Sequence, residues 1–374
     1  MCLYGCVFFC YFSLLLTEYA RCEDKLYSKY ATTGKDQWPR PKRPELKEKV
    51  YFGDISIHES RLALHRKYLS QASQRRRELK WLLRDSDVSK PVIAMIVNWG
   101  QIHMFLNWVC GLKAEGMGPL LQQSLVFTGD NDTFNALRHI LPTYFVSSRQ
   151  LPGLPSSPAK VFGDRTFGSM MVLKVAAVYS IVMELGRDLL FQDVDVVWNQ
   201  NPVPLFYETR YKHKDALFSY DGNVNQPPFY FNAGFFFIRS TPKGKLLAED
   251  FFYYFSKRRG SAVQPILNQV LLHHYLVYGL DMEILSTAVV PHPADERLRL
   301  GGTLKKELDG VSPLVIHAAW THNHWDKVKK LRAVGRWWLN DTCEHYHTVK
   351  PRFSVDLRDC IENSICDRWK LGSS

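Results

Sequence analysis

The chain has 374 residues, 46% of them hydrophobic and 13% aromatic, which excludes a mainly disordered protein and allows a substantial core. A formal charge of +11 points to anionic partners: nucleic acid, phosphate-bearing ligands or a membrane surface. No zinc finger, RNP-type aromatic strand or basic recognition helix accompanies that charge, so nucleic acid is set aside as a partner.

The N-terminus, Met1 to Thr17, carries no charged side chain and is close to the ~20 residues a membrane span needs. Residues 1–20 are predicted to be a signal anchor or signal peptide, with the anchor preferred because a basic start is lacking. The expected location is a Golgi or ER membrane with a lumenal body, or secretion if the segment is cleaved. Eight cysteines agree with that compartment: Cys2, Cys6 and Cys10 lie in the apolar run and Cys22 just after it, while Cys110, Cys343, Cys360 and Cys366 lie in the body. Four cysteines allow three pairings. The sequons at Asn131 and Asn340 would be glycosylated in a lumen.

Residues 21–90 read as a stem. "GKDQWPRPKRPELKEK" is an extended basic linker, and "HESRLALHRKYLSQASQRRRELKWLL" is a helix whose arginine run forms a solvated face. The body starts at Pro91. "PVIAMIVNWG" holds a short apolar run suited to a fully buried parallel strand. "QIHMFLNWVCGLKAEG" follows as a helix closing on glycine, "QSLVFTGD" as a second strand, "NDTFNALRHIL" as a second helix and "YFVSS" as a third strand. "GSMMVLKVAAVYSIVMELG" is predicted to be a long helix ending at Gly186, with "DLLFQDVDVVW" as the next strand. Beyond it, "ALFSYDG" and "FNAGFFFIRS" read as strands, the latter with an antiparallel option. "GKLLAEDFFYYFSKRR" and "QPILNQVLLHHYLVYG" read as helices, and "SPLVIHAAW" as a final strand. The alternation predicts an α/β fold with an open, mostly parallel sheet flanked by helices, and ligands beyond the carboxyl ends of its strands. Asp130 and the pair Asp193 and Asp195 sit there.

Two carboxylates at i and i+2 of an extended segment share a face, where mutual repulsion and burial are costly without a counter-charge. A divalent cation removes both costs, and hard oxygen ligands suit manganese or magnesium. The ordinary alternative is one aspartate capping a helix while the other pairs with an arginine. His322 and His324, with Cys343, His345 and His347, match no zinc spacing and read as loop and tail residues.

"FQDVDVVWNQNPVPLF" resembles the metal-binding strand end of GT-A glycosyltransferases. With "VNWGQIHMFLNWV", "FNAGFFFIRSTPKGK", "QPILNQ" and "VIHAAWT" in the same order, the chain resembles the nucleotide-diphospho-sugar transferase domain of glycosyltransferase family 77 over roughly residues 91–340. The resemblance implies a GT-A-type, Rossmann-like sheet in a single catalytic domain, a UDP-sugar donor, a glycan or glycoprotein acceptor and retention of anomeric configuration. Residues 341–374 would be a cysteine-containing extension. It implies Mn2+, or Mg2+, held by Asp193, Asp195 and His317, with Asp193 also near the ribose. Lys174, Asn232 and Gln264 would face the reacting centre. Asn98, Trp99, Gly234 and Asn268 would join Lys174, Asp193 and Asn232 in lining the donor site. Val263 stands where the family has an aspartate before glutamine, which removes one carboxylate from the sugar side.

Two other classes compete. A non-catalytic lumenal glycan-binding or scaffold protein on the same fold would explain Val263. A metal-dependent phosphodiesterase or nuclease would also use paired aspartates but needs further carboxylates at the strand ends, and only Asp130 presents itself.

Overall fold

The computed structural model describes residues 65–147, 149–151, 165–222, 230–257, 263–291, 313–321 and 324–339. All belong to one unit of the chain, residues 52–374. The N-terminal segment 1–20, the linker, the sequon at Asn340, the tail cysteines, His322 and the side chain of His324 lie outside the described residues. No helix among the described residues is long and apolar enough to cross a membrane.

The centre is β1 (Val92–Ile96), in which every residue is buried. Ile93 and Met95 enter one apolar core while Val92, Ala94 and Ile96 enter another. The period-2 alternation of a strand therefore divides between two covered faces, which is why the run is apolar throughout. β1 pairs in parallel with β2 (Ser124–Thr128) on one side and β4 (Leu189–Gln192) on the other, and β2 pairs in parallel with β3 (Thr143–Phe145). β7 (Phe231–Ile238) runs antiparallel to both β4 and β6 (Ala216–Tyr220), and β8 (Met282–Ile284) closes the edge in parallel with β6. The order is β3-β2-β1-β4-β7-β6-β8. Because β7 is the one reversed strand among these seven, the sheet is open and mostly parallel, as expected.

Helices cover both faces. α2 (Ile102–Ala114) packs into one core, and Gly116 at φ 71° follows its last turn. α3 (Asn131–Leu137) follows β2. The opposite core receives α4 (Arg165–Val178), α5 (Pro242–Lys257) and α6 (Val263–Tyr278). α4 widens into a π-helical stretch, Tyr179–Leu185, stopped by Gly186 at φ 66°.

Two expectations change. "DLLFQDVDVVW" is not one strand: β4 ends at Gln192, the chain turns through Asp193–Asp195, and β5 (Val196–Trp198) leaves the main sheet. β5 pairs antiparallel with β9 (Val315–His317), placing Val196 opposite His317. Trp198 locks this exit by donating from Nε1 to Gln192 Oε1 at 2.6 Å. The second change is at the stem. α1 (Ala72–Leu82) and the turn of helix before it join the core through Tyr68, Leu79 and Leu83, so packing begins well before Pro91. The solvated-face reading holds for Arg76 and Arg77 and fails at Arg75, which is fully buried. Its guanidinium pairs with Glu184 of the π-helical stretch, donating from Nε to Oε2 at 2.8 Å, and stacks over the Tyr68 ring at 3.4 Å. Two adjacent turns of helix thus dock through a charge that could not be buried without its partner.

Candidate metal and donor site

β4 and β6 both run antiparallel to β7, so their carboxyl ends open at the edge where β7 begins. Asp193 follows β4 there, and its backbone N–H donates to Gly234 O at 2.7 Å. The turn, rather than an extended pleat, swings Asp195 back beside it. Ala318 N–H donates to Asp195 O at 3.0 Å, which brings the end of β9 against the same turn. One ligand atom each of Asp193, Asp195 and His317 then lies within 4.8 Å of the others.

Each carboxylate of the cluster lies beside an ammonium group. Asp195 is 1% exposed, and its Oδ1 is buried without a hydrogen bond, 3.4 Å from His317 Nε2. Its Oδ2 accepts from Lys327 Nζ at 2.5 Å. Burial alone would raise this carboxyl, but the Lys327 ammonium and His317 outweigh it and hold the group well below the usual carboxylate range. Asp193 Oδ1 accepts from Lys174 Nζ at 2.7 Å, and the same ammonium donates to Ala233 O at 3.1 Å. Lys174, almost fully buried on α4, thus fixes Asp193 to β7 instead of facing outward.

Gly234 is a spatial requirement. A Cβ built there would meet His317 Cε1 at 2.3 Å and both Asn232 Oδ1 and Asp193 Oδ2 at 2.9 Å. The missing side chain is the space into which the ligand groups converge. Asn232 stands on the same wall: its Oδ1 accepts from Gly234 N at 2.7 Å and its Nδ2 donates to Asp221 Oδ1 at 2.8 Å.

Other expected residues serve the scaffold. Gln264 Oε1 accepts from Ala233 N at 3.0 Å. Asn268 Oδ1 accepts from Phe231 N at 2.6 Å while its Nδ2 donates to Phe231 O and Gln264 O, so both of its donors are engaged by backbone. Asn268 clamps the start of β7 and is withdrawn from the donor set. Trp99 is buried in the core at the head of a short 3-10 turn. Asn98, 6% exposed, donates to Met170 Sδ and leaves its buried Oδ1 without a hydrogen bond, an acceptor at the carboxyl end of β1. Asp130 caps α3 by accepting from Thr133 N at 2.7 Å. It does not join Asp193, Asp195 and His317, so the carboxylate that the nuclease alternative counted on is not part of this cluster.

Sequence reasoning did not find Lys327 or Asp221. Lys327 lies on α7 (His324–Ala333), ten positions after His317, where no short motif marks it. Asp221 stood in an Asp-Gly pair, an ordinary turn signal.

A profile of the nucleotide-diphospho-sugar transferase family matches residues 119–331. The chain belongs to the nucleotide-diphospho-sugar transferase family. The matched segment runs from the approach to β2 into α7 and contains Asp193, Asp195, Asn232, Gly234, His317 and Lys327. Among curated proteins, the chain is 23% identical over 273 residues to a beta-arabinofuranosyltransferase of Arabidopsis thaliana, covering 67% of this chain and 48% of that protein. It is 25% identical over 274 residues to a UDP-D-xylose:L-fucose alpha-1,3-D-xylosyltransferase of the same plant, covering 67% and 71%. A UDP-galactose:fucoside alpha-3-galactosyltransferase of Dictyostelium discoideum is 24% identical over 212 residues, covering 50% and 31%. The chain therefore spans about half the length of the first of these family members and less of the third. Among solved structures, an active-site mutant of LgtC aligns at 13% identity with a TM-score of 0.41, covering 68% of this chain and 99% of that one. Mouse xyloside xylosyltransferase 1 aligns at 12% with a TM-score of 0.36, covering 61% and 97%.

Proposed function

We propose that this family member is a retaining glycosyltransferase on a GT-A-type sheet. It moves a sugar of the galactose, xylose or arabinose class from a UDP-sugar to a glycan or glycoprotein acceptor. The observation that carries the reading is the convergence of Asp193, Asp195 and His317 on the space left by Gly234, with a buried Asp195 oxygen lacking any hydrogen bond. Two carboxylates and an imidazole suit Mn2+, with Mg2+ as the substitute. Bound there, the cation would stabilise the charge that grows on the leaving diphosphate.

The chain's own residues supply the rest. Lys174 holds Asp193 in place, and Lys327 contributes a second positive charge at the same carboxylates for an anionic donor to meet. Asn98 offers its orphaned carbonyl at the end of β1, and Asn232 presents an amide fixed at both ends toward the sugar side. The expected setting is the lumen of the Golgi or ER, with residues 1–20 anchoring the chain to the membrane or directing its secretion.

The test uses the full chain with UDP-galactose, UDP-xylose, UDP-arabinose and UDP-glucose in the presence of Mn2+. Release of UDP from at least one donor is expected, and Asp195→Asn should reduce it by a hundredfold or more while leaving the far-UV spectrum intact. No turnover together with no Mn2+-dependent binding of UDP would sink the enzyme reading and favour the glycan-binding scaffold.

A further inference from the structure

The family resemblance leads one to look for a carboxylate at position 263, and Val263 there is 4% exposed within the core. The fold brings a different carboxylate to the same wall. Asp221 follows the carboxyl end of β6, where Tyr220 pairs with Phe231 at the start of β7. It is followed by Gly222 at φ 80°, a conformation that glycine adopts without strain.

Asp221 is 5% exposed. Its one hydrogen bond among the described residues comes from Asn232 Nδ2 at 2.8 Å on Oδ1, and no described cation pairs with it. A carboxylate has roughly four acceptor positions, and burying one with a single neutral donor and no counter-charge is costly. Other buried carboxylates in the molecule are better served: Glu184 has Arg75, Asp195 has Lys327, and Asp130 has the first turn of α3. Among the described residues, Asp221 alone of these has neither a cation nor a helix N-terminus as partner.

Its position explains what could complete it. Asn232 bridges Asp221 to Gly234, and the open side of Gly234 is lined by Asp193 and His317. One amide, that of Asn232, therefore links Asp221 to the backbone of Gly234, beside which Asp193 and His317 converge. A group linked to a metal-bound diphosphate would reach Asn232 and then Asp221. Hydroxyl donors are what an under-bonded carboxylate lacks, and a sugar ring carries several.

We propose that Asp221 reads the transferred sugar of the donor: Oδ1 is held by Asn232, and Oδ2 accepts from a sugar hydroxyl. The assignment rests on the transferase reading above and supplies the sugar-side carboxylate that Val263 removes.

The experiment is isothermal titration of the full-length wild type, Asp221→Asn and Asp221→Ala with Mn2+ and either UDP or the UDP-sugar that the wild type binds most tightly. Asparagine can still accept from Asn232 through its own carbonyl but presents an amide to the sugar. The expected result is UDP affinity within about twofold of wild type and UDP-sugar affinity weakened about tenfold or more in both variants, the loss of one charge-assisted hydrogen bond. Unchanged melting temperature in Asp221→Asn would exclude a merely structural cause. Equal loss of UDP and UDP-sugar binding, no loss of either, or an effect confined to the acceptor KM would overturn the assignment. Failure of the wild type to bind UDP with Mn2+ would overturn the transferase reading itself, and this assignment with it.

Discussion

Gly234 shows how one residue can hold a site together by being absent. Its position in "FNAG" marks a strand glycine, but the reason for it is spatial: the alanine Cβ would fall within 2.3 Å of His317 Cε1 and 2.9 Å of Asp193 Oδ2. Gly234→Ala must push one of these ligand side chains aside. The expected cost is about 1–3 kcal/mol of stability by urea unfolding. Mn2+ affinity should fall at least tenfold by titration, a larger effect than the folding loss predicts. Preserved Mn2+ binding in a folded Gly234→Ala chain would show that the ligands converge elsewhere. At this scale the two aspartates were legible and their geometry was not. Asp-x-Asp in a strand puts both side chains on one face by the pleat, yet here a turn brings them together after the strand has ended. Two neighbouring carboxylates need a counter-charge in either geometry, and the fold gives Asp193 the ammonium of Lys174 and Asp195 that of Lys327.

Elements show where local pattern loses to packing. The arginine run on α1 has the composition of a solvated face, and Arg76 and Arg77 obey it. Arg75 does not, because Glu184 lies 109 residues away on a π-helical stretch that no short-range signal announces. Breaking that pair by Arg75→Ala should cost about 3–5 kcal/mol, since it leaves Glu184 buried without a partner. The double change Arg75→Met with Glu184→Leu should lose much less. Equal losses for the single and double variants in urea unfolding would mean that packing, not charge, docks α1. β5 and β9 make the same point. Each reads as a strand, but that they pair with one another outside the main sheet follows only from the turn at Asp193–Asp195.

For the whole molecule, a site that exists only in the folded chain must couple ligand binding to stability. His317 lies over 120 residues along the chain from Asp193 and Asp195, so the unfolded chain has no comparable site. Mn2+ with UDP at about a hundred times their dissociation constant should therefore stabilise the fold by about 2.7 kcal/mol. This would appear as a rise of several degrees in melting temperature. EDTA should reverse it, and Asp195→Asn should show none. A rise of equal size in Asp195→Asn would place the bound metal at another site.

The sequence by itself determined the α/β class, the strands at the centre of the sheet, the helix stops at glycine, and the presence of a carboxylate pair at a strand end. These follow from periodicity, from backbone freedom at glycine, and from the cost of unpaired charge, all of which act over a few residues. Tertiary structure alone decided that Lys327 meets Asp195, that Asn268 serves the backbone of β7, and that Asn232 joins Asp221 to Gly234. Each of these depends on which strand ends share an edge of the sheet. That order is set by the burial of two apolar faces at once, over the whole chain, and no short stretch of residues encodes it.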